Sequence, residues 1–163
     1  MRLFIGLPLG DKTKNILKTI LNNLYSQGLR GNFTTKNNLH ETLAFLGECD
    51  EVMESKLIDL VNSYNESINV TLSKLTKLKD MVIYEVTITN ELLDLFNDLR
   101  NKLLDLGFNI PESYYPHVTM VRKYSFSKDI NSLTCPKVES INNKLVLFES
   151  KRINGELVYI KKN

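Results

Sequence analysis

The sequence predicts a domain of mixed strand and helix in which one strand–helix–strand unit is used twice. Three observations carry this. The chain holds two histidines, and each opens a His-x-Thr-x stretch: His40–Glu41–Thr42–Leu43 and His117–Val118–Thr119–Met120. Each stretch follows an apolar strand-like segment, a helical stripe and a glycine stop. The spacings agree: Asp11 to Asn90 is 79 positions, Gly28 to Gly107 is 79, and His40 to His117 is 77. Two copies of one unit are expected to pack about a pseudo-two-fold, with equivalent residues facing each other. With 163 residues, the chain is expected to form one domain, 1–163, its units starting near 1 and 80.

The elements follow in order. Leu3–Leu7 reads as a buried strand ended by Pro8–Leu9–Gly10. Asp11 is a candidate N-cap, since its carboxylate can accept from free first-turn N–H groups. Ile16, Leu17, Ile20, Leu21 and Leu24 recur at helical spacing, and Gly28 is the stop. Arg30–Asn37 is basic, polar and irregular, and the first motif strand runs from Leu39 to about Leu46, closed by Gly47. A second helix is expected from Asp50 to about Ser63, then a strand over Ile68–Leu72 continued outward by Lys74–Leu78.

The second unit begins with a strand over Met81–Ile88. Asn90 is its candidate cap, Leu92, Phe96, Leu99 and Leu103 its stripe, and Gly107 its stop. Phe108–Tyr114 is irregular and leads to the second motif strand, Pro116 to about Tyr124. Ser125–Pro136 is polar and loop-like, with room for a helical turn. Leu145–Phe148 and Leu157–Ile160 form a hairpin around the tight-turn pair Asn154–Gly155.

Composition narrows the function. A formal net charge of +2 suits a small anionic ligand or a nucleic-acid end, and does not suit a protein that wraps duplex by charge alone. Cys49 and Cys135 lie in no Cys-x-x-Cys pattern and read as free thiols of a reducing compartment. No run approaches the ~20 apolar residues of a membrane span, and the apolar start reads as a strand rather than a leader. A soluble, cytoplasmic monomer is expected.

The chemistry lies in the two motifs. On a strand, residues i and i+2 share a face, so His40 points with Thr42 and His117 with Thr119. Leu39, Glu41, Leu43, Val118 and Met120 point the other way. Glu41 then needs solvent or a partner behind its strand. Two imidazoles suit cleavage of a cyclic phosphodiester: one activates water, the other protonates the departing alkoxide on the opposite side of phosphorus. The hydroxyls can donate to the non-bridging oxygens as charge builds there. Zinc would want three or four ligands at compact spacing, and no cysteine or acidic residue shares the histidines' predicted face, so no metal or other cofactor is expected.

At these residues the sequence resembles the 2H phosphoesterase superfamily, and within it the RNA 2′,3′-cyclic phosphodiesterases, also called 2′-5′ RNA ligases. The likeness covers nearly the whole chain: Arg2–Pro8, the long match Asn38–Glu48, Pro116–Arg122, and the tail Leu147–Ser150 with Gly155 and Tyr159. The resemblance implies an α+β fold of two lobes, each an antiparallel sheet with helices outside, with the motifs lining the groove between them. It implies metal-independent hydrolysis of a terminal 2′,3′-cyclic phosphate to a 2′-phosphate, and reversible 2′-5′ joining of RNA ends. It assigns His40 and His117 as the acid/base pair, and Thr42, Thr119 and Arg122 as phosphate contacts; His40 is taken as proton donor and His117 as proton acceptor, roles that the sequence itself does not separate.

Strand alternation objects to Arg122, which lies five residues from His117 and so on the opposite face unless the strand bulges. Tyr114 and Tyr115 can stack on a base or pack in the core. Competing functions are a cyclic phosphodiesterase acting on a small nucleotide or an ADP-ribose cyclic phosphate, and a binding module without turnover. The two intact His-x-Thr pairs argue against the last.

Overall fold

The apolar stripes and glycine stops of the sequence mark where strand gives way to helix. The computed structural model describes all 163 residues and has nine strands and three α-helices. The first part holds β1 (Arg2–Pro8), α1 (Asp11–Ser26), β2 (Arg30–Phe33), β3 (His40–Glu48) and α2 (Glu51–Asn62). Next come β4 (Ile68–Leu78), β5 (Met81–Val86), α3 (Asn90–Asp105) and β6 (His117–Ser125). The last strands are β7 (Val138–Asn143), β8 (Val146–Ile153) and β9 (Glu156–Lys161).

All strand pairs are antiparallel, in the order β7-β4-β5-β6-β3-β1-β8-β9, with β2 added beside β6. The order is symmetric about the β6–β3 junction: β3 answers β6, β1 answers β5, β8 answers β4 and β9 answers β7. The fold is therefore α+β, two antiparallel lobes related by a pseudo-two-fold. At the junction the strands share one register pair, Glu41 with Val118. Continuing that antiparallel register by one residue sets Thr119 across from His40 and His117 across from Thr42.

Helix α3 buries its predicted face, Leu92, Phe96, Leu99 and Leu103, whereas α1 buries Leu17, Leu21 and Leu24 of its expected stripe and leaves Ile20 half-buried and Ile16 exposed. Both end alike. Leu29 N–H bonds Leu24 O and Phe108 N–H bonds Leu103 O, the wrap that a left-handed glycine permits, with Gly28 at φ 105° and Gly107 at φ 97°. The caps differ by one residue from expectation. Gly10 stands at the N-cap of α1, with Asp11 in the first turn. Thr89 rather than Asn90 caps α3, its hydroxyl accepting from Leu92 N–H. Asp50 caps α2 through Met53 N–H.

Two strands were absent from the sequence reading. The stretch expected to be irregular, Arg30–Asn37, holds β2 and a 3₁₀ turn at Lys36–Asn38. Strand β7 follows the polar loop. Both are polar segments at sheet margins, where backbone pairing rather than an apolar alternation makes the strand. The strand expected over Met81–Ile88 ends at Val86, leaving Ile88 exposed. The terminal hairpin turns at Asn154 and Gly155, both at positive φ, as expected of this pair.

Candidate active site

The face of each motif strand follows from alternation and a bulge that both strands share. In β3 the register against β1 jumps from Ile5–Ala44 to Gly6–Thr42, leaving Leu43 unopposed. In β6 the register against β5 jumps from Val82–Val121 to Ile83–Thr119, leaving Met120 unopposed. The two bulges fall at the same place, three residues after each histidine. Each buries two residues in succession, Leu43 with Ala44 and Met120 with Val121, and turns the strand's next residue back to the front. Arg122 therefore lines the same cleft as His117 and Thr119, against plain alternation. Its counterpart in the first lobe is Phe45, 75% exposed and also in the cleft wall.

Each imidazole is aimed by its own strand. His40 Nδ1 bonds the carbonyl of Asn38 at 2.6 Å, and His117 Nδ1 bonds that of Tyr115 at 2.8 Å. A carbonyl only accepts, so Nδ1 carries hydrogen in both rings and Nε2 is the nitrogen with the open lone pair in the neutral ring. His40 Nε2 accepts from the Thr42 hydroxyl at 2.8 Å. The Thr119 side of the site is braced from behind, its carbonyl accepting from Thr34 Oγ1.

The two rings sit in different surroundings. His40 packs among Phe4, Phe148 and Tyr159, with centroids 5.0, 6.0 and 5.0 Å away. That burial pushes its pKa down to about 4, the Asn38 carbonyl opposes the shift, and the charges of Arg122, His117 and Lys14 add to it. His117 is less enclosed, with Tyr115 as its aromatic neighbour at 5.6 Å.

The cleft has a volume of about 900 Å³, and its wall contains all five expected site residues: His40, Thr42, His117, Thr119 and Arg122. It also holds Arg2, Lys151 and Arg152, and no Asp, Glu or Cys. The site thus offers two imidazoles, hydroxyls and cations to an anion, with aromatic rings alongside. Phe4 and Tyr159 were not singled out as site residues. Phe4 lies in a strand buried along nearly its whole length, so no alternation marks it, and its packing against Tyr159 joins the two ends of the chain. No three His, Cys, Asp or Glu side chains converge anywhere in the molecule in a way that would hold a metal ion. A smaller cavity of about 400 Å³, between residues 63–68 and the start of α3, contains neither motif.

Glu41 finds its partner behind the strand. It is fully buried, and Tyr114 Oη donates to its Oε1 at 2.7 Å. Tyr114 stacks flat on Phe96 of α3, with centroids 4.1 Å apart. Tyr115 stands exposed at the cleft, its hydroxyl donating to Glu85.

No protein-family model matches the chain. It is 27% identical over 162 residues to a protein of Thermotoga maritima named RNA 2′,3′-cyclic phosphodiesterase, covering 92% of this chain and 87% of that protein. A protein of the same name from Methanocaldococcus jannaschii is 29% identical over 126 residues, 75% of this chain and 71% of that one. Among solved structures, Escherichia coli LigT complexed with 3′-AMP superposes with a TM-score of 0.79 at 21% identity, covering 99% of this chain and 95% of that one. The resemblance to the 2H phosphoesterase superfamily, and within it to the RNA 2′,3′-cyclic phosphodiesterases, thus holds in sequence and in fold over nearly the whole chain.

Proposed function

We propose that this protein is a cyclic phosphodiesterase that opens the terminal 2′,3′-cyclic phosphate of RNA to a 2′-phosphate, without a metal. The observation that carries this is the pair of His-x-Thr motifs in one cleft, each imidazole held by Nδ1 so that Nε2 is the nitrogen left for proton transfer. The names of the two sequence relatives support the reaction class. The nucleotide in the structural relative supports a nucleotide-sized ligand.

In this reading the phosphate lies between the two imidazoles. His117 takes a proton from water, whose oxygen attacks phosphorus. The P–O3′ bond breaks in line, and His40 gives its Nε2 proton to the departing O3′. Thr42, Thr119 and Arg122 donate to the non-bridging oxygens, where preorganised donors act most strongly as charge builds. With a 5′-hydroxyl in place of water, the same attack makes a 2′-5′ linkage.

Burial lowers the His40 pKa to about 4, so in this reading His40 takes up the proton it donates as the substrate binds. Burial and the neighbouring Arg122 charge hold protonation off, and an anionic phosphate beside the ring counters both. Thr42, whose hydroxyl donates to His40 Nε2, then turns to the phosphate. The wall holds no carboxylate or thiolate, the ligands with which a divalent ion would supplement two histidines.

The test is product analysis by ³¹P NMR on a short RNA ending in a 2′,3′-cyclic phosphate. A 2′-phosphate that forms equally well with EDTA supports the reading. A 3′-phosphate, no product, or loss on chelation with rescue by zinc rejects it.

A further inference from the structure

Glu41 stands where its counterpart in the other half, Val118, is an alkyl group. The two face each other across the β3–β6 junction, in the same position of the two motifs, and both are fully buried. Packing alone would be served by a valine at both. A carboxyl at such a place is costly unless it makes a bond that matters. Its one hydrogen bond reaches 73 residues along the chain to Tyr114, and its Oε2 has no partner.

Tyr114 belongs to the segment that enters β6. Its ring is clamped flat on Phe96, so the hydroxyl cannot wander. The next residue, Tyr115, supplies the carbonyl that accepts from His117 Nδ1 and is pinned by its own hydroxyl to Glu85 of β5. The segment is thus held by its own lobe through Tyr115 on Glu85 and Tyr114 on Phe96, and by the opposite lobe through Tyr114 on Glu41.

We propose that Glu41 is a positioning residue that, through Tyr114, ties the first motif strand to the segment aiming His117 and so sets one imidazole relative to the other. The bond crosses the junction where β3 and β6 share a single register pair. Around it the neighbours are apolar or uncharged: Leu7, its register partner on β1, Val118 on β6, Tyr84 on β5 beside Val118, and Phe96 behind Tyr114. No cation faces Glu41, so it packs as a neutral acid, and burial pushes its pKa up to about 8.

The inference rests on the proposed reaction for its kinetic test and stands apart from it in a spectroscopic one. Tyr114→Phe keeps the ring stack and deletes the bond; Glu41→Leu deletes it from the other end. Each is expected to lower kcat roughly 10- to 100-fold, the scale of a misaligned reacting group, with KM within about twofold. Glu41→Gln, which can still accept from Tyr114, restores most of kcat. The double variant Glu41→Leu/Tyr114→Phe loses no more than either single one.

In the protein without substrate, the His117 ring ¹⁵N resonances shift in Tyr114→Phe and stay put in Glu41→Gln. Unchanged kcat and unchanged His117 resonances in Tyr114→Phe, with an effect on Tm alone, overturn the proposal. If the unaltered protein fails to turn over the cyclic phosphate, the reaction is rejected, and the His117 resonances still decide the tether.

Discussion

The two motif strands share one plan and do different work. In β3 and β6 the histidine, the threonine, the bulge and the carbonyl that holds Nδ1 fall at matching positions. The side chains between them diverge. The bulge of β6 presents Arg122 to the cleft, and that of β3 presents Phe45. His40 is enclosed by three aromatic rings, whereas His117 is more open. A repeated backbone therefore supplies symmetric placement, which an in-line reaction needs. Its substitutions supply the asymmetry, with a cation on one side and aromatic rings on the other.

The sharpest way to break this comparison is to remove either imidazole. His40→Ala and His117→Ala are each expected to lower hydrolysis of a 2′,3′-cyclic phosphate by at least about 10²- to 10⁴-fold, with the fold retained by circular dichroism. Near-normal turnover in either variant would show that the halves are not partners.

The two bulge positions come next. Arg122→Ala deletes the charged donor proposed for the phosphate and is expected to cost about 10- to 100-fold in kcat/KM. Phe45→Ala, in the equivalent place, deletes an exposed ring. If that ring stacks on a base, the loss is near the lower bound of ~1 kcal/mol, about fivefold in KM with kcat kept. Equal effects on kcat from both would contradict the division of labour.

A smaller effect is expected at the glycines behind each motif. A Cβ at Gly6 would lie 2.6 Å from the Glu41 carbonyl oxygen, and one at Gly31 would lie 2.8 Å from both the Arg122 carbonyl and Val121 Cγ1. Gly6→Ala and Gly31→Ala should each cost ~1–3 kcal/mol by denaturant unfolding, since backbone cannot move aside as a side chain can. Gly6→Ala is expected to disturb His40, and Gly31→Ala to disturb Arg122, separably by NMR.

The gentlest test is pH. His40 has its pKa lowered from 6.5 to about 4 on folding, so its contribution is present above pH 6.5 and lost as pH falls towards 4. Glu41 has its pKa raised from 4.5 to about 8, so its contribution is present below pH 4.5 and lost as pH rises through 8. Tm followed from pH 4 to 9 should decline less on the alkaline side in Glu41→Gln and less on the acid side in His40→Ala. Added inorganic phosphate should raise the His40 midpoint seen by NMR.

How far the chain could be read without its structure varied by residue. The stripes of α1 and α3, the stops at Gly28 and Gly107, and the pairing of each histidine with the threonine two residues on were legible. Each depends on neighbours a few positions away. The helix caps were legible to within one residue, because Gly10, Asp11, Thr89 and Asn90 are all plausible caps and the packing of the helix chooses among them. Strands β2 and β7 were not legible, since Arg30–Phe33 and Val138–Asn143 carry no clear apolar alternation and exist through the backbone of β6 and β4.

By itself the sequence determined the repeated unit, its two imidazole–hydroxyl pairs and the resemblance they carry. Tertiary structure alone decided that Arg122 reaches the cleft, that Phe45 is its counterpart, that Phe4 and Tyr159 enclose His40, and that Glu41 is answered by Tyr114. The physical reason is range. Helical and strand periodicity is set by bonds between near neighbours, which a sequence displays directly. A bulge, a desolvated ring or a buried carboxyl's partner is set by which distant segments the chain folds together.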